Sequence, residues 1–451
     1  MISFHAKPDL SRTQRISALP HAIFPAARHL AWRIRKSTLV RNAAWLFAGQ
    51  GLSFVVQGVY FVVLARLLGT AEYGQLAGVV ALVAVVSQYS TLGSGLLFLR
   101  YVSPDRSRFR VYWGNILMSI LISGGVLVAG LRLAGPWLVG RQSISLLLPI
   151  AVSDCLFLQF GSCAGQVFQT FEKMKFSAAI TLAGNLLRMV LAVAMLVFFT
   201  TATALQWAIA SLFISFTAAV FAFVTVTRNM GWPIFSPALF FKRAYEGFVF
   251  ALSGSTTAVY NDIDKVVLSH YGMNHANGIY SLAYRAVNIG TMPVMSVVSA
   301  ALPRFFRAGV NGIGATLPMA RQLLRRTALI GAAVSAALFV LPPLIPWFVG
   351  PSYIESVYAL RWLCLIPLFR CFHLSAGDAI AGAGHQRVRL VSQSIAAIGN
   401  LALNLYLVPR YSWLGAAWAS LATDAGLGIM NWLALLLLAS RRALPQPVIA
   451  D

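Results

Sequence analysis

Ten ionisable side chains lie inside long apolar runs. Five are basic (Arg188, Lys265, Arg285, Arg361, Arg370) and five acidic (Asp154, Asp262, Asp264, Asp378, Asp424). A charge in such a run is costly, faces protein or a water-filled cavity, and marks a functional site with a partner nearby. Equal numbers of opposite sign are expected to pair. The densest example is "AVYNDIDKVVLSHYG", residues 258–272. Positions three apart share a helix face, so Asp262 and Lys265 can pair within one helix. Asp264 then points roughly the other way. A helix charged on two sides is surrounded by protein and water, or locally unwound, beside an aqueous cavity. The chemistry implied is ion binding. No nucleophile elbow, metal-ligand spacing or phosphate-binding Gly-rich loop is present, so an enzyme or an ATPase is not expected.

The elements that carry these charges are membrane helices. The 451 residues are 59% hydrophobic and 10% charged, with mean hydropathy +0.75. Twelve runs are long enough to cross about 30 Å of hydrocarbon. They lie at about 43–64, 75–97, 114–135, 145–167, 177–199, 204–226, 247–269, 280–302, 327–347, 357–380, 389–408 and 413–438. Backbone groups in lipid must be satisfied within each span, so all are α-helical. Asp154, Arg188 and Asp424 fall near mid-span. Arg370 is the deeper of the two arginines of the tenth span and is placed on the cavity. Arg361 and Asp378 read as rim residues near span ends. Pro367, between the two arginines, is expected to kink that helix.

The net charge of +23 is a matter of topology. Of 35 Lys and Arg, 26 fall on the side holding the N-terminus, four (Arg66, Arg132, Arg141, Arg410) on the other and five inside spans. The positive-inside rule therefore places both termini in the cytoplasm. Attraction to anionic lipid headgroups is implied, and nucleic acid is not. The N-terminus does not read as a cleaved secretory signal.

Internal repetition divides the chain in two. "PWLVG" at 136–140 returns as "PWFVG" at 346–350, "GNLLRMVLAV" from Gly184 as "GNLALNLYLV" from Gly399, and Gly69 and Gly74 as Gly272 and Gly278. The reading is two six-helix lobes related as a parallel repeat about an axis normal to the membrane. The expected divisions are a basic cytoplasmic tail at 1–41, an N-lobe at 42–230, an interlobe loop at 231–246 broken by Pro233 and Pro237, a C-lobe at 247–440 and a cytoplasmic tail at 441–451. Two lobes that rock about a central site make a transporter. Cys155, Cys163, Cys364 and Cys371 read as small buried apolar residues. Gln50 with Gln57, and Asn400 with Asn404, fit interhelical hydrogen bonds as well as substrate contacts. His270 and His275 read as solvated.

Longer segments carry a family resemblance. "VLARLLGTAEYGQLAGVVALVAVVSQYSTLGSGLLFLRYV", "DKVVLSHYGMNHANGIYSLAYR", "FVGPSYIESVYALRWLCL" and "NLALNLYLVPRYSWLGAAWAS" resemble Wzx-type polysaccharide flippases, of the superfamily shared with multidrug antiporters and the lipid II flippase. The likeness covers nearly all of residues 40–440. It implies translocation of undecaprenyl-pyrophosphate-linked oligosaccharide between leaflets of a bacterial inner membrane, alongside a polysaccharide polymerase and a chain-length regulator. The family's cationic lumen falls here on Arg188, Lys265, Arg285 and Arg370. Asp154, Asp262, Asp264 and Asp424 are left for pairing or for coupling to a proton or sodium ion. No other cofactor is implied. The alternatives are a cation-coupled multidrug antiporter, whose cavity should be net acidic where this one is expected to be balanced, and a membrane polymerase or ligase, which the short outer loops oppose.

Overall fold

The computed structural model describes residues 38–199 and 201–441, and among them there is no strand. The tails expected at 1–41 and 441–451 lie almost wholly outside the described residues, as does the Gln50 side chain. The helices are α1 (Thr38–Ser87), α2 (Ser94–Val102), α3 (Phe109–Ser119), α4 (Gly125–Leu138), α5 (Ile144–Val152), α6 (Leu158–Thr170), α7 (Met174–Phe198), α8 (Ala204–Met230), α9 (Pro237–His270), α10 (Asn274–Gly309), α11 (Ile313–Val340), α12 (Ile345–Val349), α13 (Glu355–Leu363), α14 (Ile366–Gly382), α15 (Gln386–Tyr411) and α16 (Trp413–Arg441).

Ten helical stretches among the described residues are long and apolar enough to cross a membrane. One of them holds two crossings, because α1 breaks at Gly69, whose φ of 70° and ψ of 175° no helix contains. The α9 helix is not among the ten; its 34 residues reach about 51 Å at about 1.5 Å per residue, and it carries the charged stretch. Twelve crossings result, in agreement with the sequence pattern. The segment expected as an interlobe loop is mostly helix. Pro237 is the first residue of α9, where its missing N–H costs nothing, and Ser236 caps the Leu239 N–H.

Two crossings contain π-helical turns, Ile120–Gly124 between α3 and α4 and Ser153–Phe157 between α5 and α6. The second holds Asp154. Such turns insert an extra residue and re-aim the side chains around it. The tenth crossing is interrupted between α13 and α14, with Pro367 in the first turn of α14, as its sequence predicts.

For orientation, the near end of the bundle is the one at which α1 begins, and the far end is the one at Gly69. At the far end the first half meets the second through backbone. A Cβ on Gly74 would lie 1.8 Å from Asn274 O, and a Cβ on Gly278 would lie 1.9 Å from Thr70 O. These contacts are reciprocal, as a two-fold axis between the Gly69 and Gly272 turns requires. Hydrogen bonds continue the seam. Gly140 N–H donates to Ser269 O at 2.9 Å, Asn277 Nδ2 to Gly74 O at 2.9 Å, Asn274 Nδ2 to Gln142 Oε1 at 2.8 Å and Tyr353 Oη to Ala65 O at 3.1 Å. In lipid, close backbone approach and interhelical hydrogen bonds hold helices together, because apolar burial gives little drive there. At the near end α9 crosses α2. Glu246 takes Arg100 at 2.6 Å and Arg243 at 3.1 Å, and Arg243 also donates to Tyr101 Oη at 2.8 Å. Within the second half α14 packs on α10 where Gly309 meets Gly382 O, with no room for a Cβ. Farther along the same two helices, Arg370 of α14 reaches Tyr284 and Asn288 of α10.

Candidate functional site: a basic cavity between the halves

A cavity of about 480 Å³ lies between the halves in the far half of the bundle. Its first-half wall comes from α1, α5, α7 and α8, and its second-half wall from α9, α10 and α14. Arg188, Lys265, Arg285 and Arg370, separated by up to 182 residues in sequence, all line it, as do Asp154 and Asp262. Four basic and two acidic groups leave a formal charge of +2 on the wall. The balanced cavity expected from the sequence is therefore corrected: Asp264 and Asp424 lie behind the wall, and Asp378 lies elsewhere.

Each basic group is held differently. Lys265 Nζ donates to Asp262 Oδ1 at 2.5 Å and to Asn261 O at 3.2 Å, and lies 4.4 Å from the Tyr284 ring centre. Arg370 donates to Asn288 Oδ1 at 2.9 Å, Tyr284 Oη at 3.0 Å and Asn261 Oδ1 at 3.4 Å. These partners are neutral, so its charge is not cancelled by direct contact. Arg285 stacks on Phe61 across the seam, 3.9 Å from the ring centre. Cation–π contact orients a guanidinium without neutralising it. Arg188 donates to Ser215 Oγ at 2.9 Å, and Ser215 is also bonded to Ser153 at 3.0 Å. Arg188 further borders a second cavity of about 260 Å³ between α6, α7 and α8.

The charged stretch of α9 resolves as an unbroken helix with two faces. Asp262 faces the cavity. Asp264 is fully buried, accepts from the Lys265 N–H at 2.8 Å and from Ser420 Oγ at 3.1 Å, and is bonded to Tyr280 Oη. Its Oδ1, the oxygen that accepts from the Lys265 N–H, lies 3.9 Å from Lys265 Nζ, so Lys265 is flanked by two carboxylates. Asp424 is buried beside His373, 3.5 Å from Nε2. Asp378 is not a rim residue: it is buried and paired with Arg389 at 3.0 Å. Arg361 does sit at an exposed end, against Phe339. All four cysteines are buried. Asn404 bonds Asn400 within α15, not across helices, and neither lines the cavity. His270 and His275 are exposed.

Sequence reasoning missed Tyr60, Trp207, Asn261, Tyr284 and Asn288 on this wall. The spacing of Ser281, Arg285 and Asn288 on one face of α10 was an available signal, and the rings had none.

A model of the family described as polysaccharide biosynthesis protein matches residues 39–308, which is 270 of the 451 residues. The chain belongs to this family. This polysaccharide biosynthesis protein superposes on the lipid II flippase MurJ in an inward closed conformation with a TM-score of 0.70 and 12% identity, over 88% of this chain and 90% of that one. A multidrug resistance MATE family transporter in its inward-facing conformation gives 0.69 at 15% identity, over 87% and 96%. A superfamily transporter from Pyrococcus furiosus, described as having a binding pocket of reverse polarity, gives 0.60 at 15% identity, over 90% and 95%. By sequence, an uncharacterised membrane protein of Methanocaldococcus jannaschii is 25% identical over 188 residues, 41% of this chain. The match spans only 44% of that relative's length. The fold of this family member is thus that of the superfamily's flippases and transporters.

Proposed function

We propose that this chain is a flippase that carries undecaprenyl-pyrophosphate-linked oligosaccharide from the cytoplasmic to the periplasmic leaflet of a bacterial inner membrane. The carrying observation is the cavity wall, with Arg188, Lys265, Arg285 and Arg370 against only Asp154 and Asp262. A low-dielectric cavity of that sign attracts anions. Guanidinium groups present forked donors suited to phosphate oxygens. About 480 Å³ holds a pyrophosphate and a few sugar rings, within the usual range for ligand sites. It does not hold a polyprenyl chain, which stays in the lipid. The aromatic rings at Tyr60, Trp207 and Tyr284 offer flat faces to sugars. Rocking of the halves, with the far-end seam opening, would deliver the headgroup to the other side, where a polymerase and a chain-length regulator would use it for O-antigen, capsule or exopolysaccharide.

The test is made in cells. Deleting the gene should confine lipid-linked oligosaccharide to the cytoplasmic leaflet and abolish surface polysaccharide. Lys265→Ala and Arg188→Ala should abolish rescue while protein persists in the membrane. Normal rescue by both variants would refute the role of the basic wall. Unchanged lipid-linked sugar with altered sensitivity to cationic dyes would identify a cation-coupled multidrug antiporter instead.

A further inference from the structure

A second set of buried charges lies behind the cavity, and the flippase chemistry above leaves it unused. On α14, Arg370, His373 and Gly377 fall at i, i+3 and i+7, on one face. On α16, Asp424 and Asn431 are seven apart, also on one face. The two faces meet. His373 Nε2 lies 3.5 Å from Asp424 Oδ1, and Asn431 Nδ2 donates to His373 O at 3.2 Å. Gly377 leaves the space through which Arg389 approaches: a Cβ there would lie 3.2 Å from Asn431 Nδ2 and 3.7 Å from Arg389 Nε. Arg389 closes the row in its pair with Asp378. A file of polar groups therefore runs through the second half from the cavity wall at Arg370 toward the near end at Asp378.

His373 is 5% exposed and Asp424 3%. Among the described residues, His373 Nε2 and Asn431 Oδ1 have no hydrogen-bond partner. Polar groups kept in a membrane bundle for packing are ordinarily satisfied, and each exception calls for a cause. The groups facing the pair from the surrounding helices are Tyr260 and Asp264 of α9, Tyr284 of α10, Arg370 of α14 and Arg389 of α15. Of these, Tyr284 and Arg370 also line the cavity, and of the two only Arg370 is a cation.

We propose that His373 and Asp424 form a proton-binding site, and that its occupancy sets how strongly Arg370 holds an anion in the cavity. This rests on the cavity being an anion site. Without the proton the pair is an imidazole beside a carboxylate and carries −1. With the proton, on either partner, it carries zero. The unprotonated pair draws on the charge of Arg370, and protonation returns that charge to the cavity. Proton binding and anion binding therefore strengthen each other, and by linkage each raises the affinity for the other equally. Anion affinity falls as pH rises through the titration of the pair.

The test uses the full chain in lipid nanodiscs. Without ligand, the wild type should take up about one proton more than Asp424→Asn as pH falls from about 8.5 to about 5.5, the range in which a histidine–carboxylate pair titrates. Binding is then measured with a nucleoside diphosphate sugar, a pyrophosphate diester whose own charge is constant over that range. Wild-type affinity should fall by about tenfold as pH rises. Asp424→Asn, a permanently uncharged mimic, should bind tightly with no pH slope. Superimposable proton titrations, or a wild-type slope in Asp424→Asn, would overturn the proposal. If the probe binds at no pH, the anion-site reading falls, and the ligand-free titration still decides whether the pair binds a proton.

Discussion

The far-end seam makes a quantitative prediction about Gly278→Ala. The added methyl would begin 1.9 Å from Thr70 O, whereas an ordinary contact starts near 3.4 Å. The α1 and α10 backbones must therefore separate by about 1.5 Å, because neither the helix nor the turn after Gly69 offers a flexible side chain that could give way. Forcing atoms into a closed contact costs about 1–3 kcal/mol. The contact exists only while the far end is closed, so the cost falls on that state alone. A bias of this size multiplies the far-end-open to far-end-closed ratio by about 5 to 150. The four native cysteines are buried, so a single cysteine at Ser211 on the cavity wall can report alone. Its labelling by a membrane-impermeant maleimide, applied from the far side, should accelerate by that ratio in Gly278→Ala. Gly130→Ala is the control, since a Cβ there meets nothing within 4 Å. An unchanged rate in Gly278→Ala, or an equal rise in the control, would refute the seam as the closing contact.

Two further outcomes are expected. Asp262→Asn should leave the membrane level of protein unchanged and raise affinity for the pyrophosphate diester by a few-fold, because Lys265 loses its 2.5 Å carboxylate partner; isothermal titration decides this, and weaker binding would contradict it. At the near end, Glu246→Gln should weaken the clamp of α9 on α2 by no more than about 1 kcal/mol, since Arg100 is 60% exposed. Cysteine cross-linking between the two helices should drop modestly, and complete loss would show that the clamp carries more than surface charge.

Much of this was legible in the chain. The cost of a buried charge in lipid marked Arg188, Lys265, Arg285 and Arg370 as functional suspects, and the family resemblance gathered them into one lumen. The i, i+3 pair of Asp262 and Lys265 followed from helix geometry, and the breaks at Gly69 and near Pro367 from residue type. What stayed hidden depends on which helix faces which. Spacing puts Asp424 on a face of α16, but only packing shows that this face meets His373 and not the cavity. Asp378 reads as a rim residue until α15 delivers Arg389 to it. The sign of the cavity was misjudged for the same reason, since counting charges along the chain cannot tell wall from interior. The π-turn at Asp154 leaves no pattern in composition, whereas Ser236 followed by Pro237 was a helix-start signal that reading Pro237 as a breaker passed over.

The reciprocal contact of Gly74 with Asn274 and of Gly278 with Thr70 is the self-complementary kind that two identical subunits make about a dyad. A duplicated and fused half inherits that interface, and fusion then releases its walls from sameness. At the shared offset of 204 residues, Ala77, Ala81 and Ala84 of the first half correspond to Ser281, Arg285 and Asn288 of the second, and all six line the cavity. A homodimer would have to present methyl groups twice or cations twice. The single chain presents one of each, so a ligand with an apolar or sugar face and a charged end can be told which way round to sit.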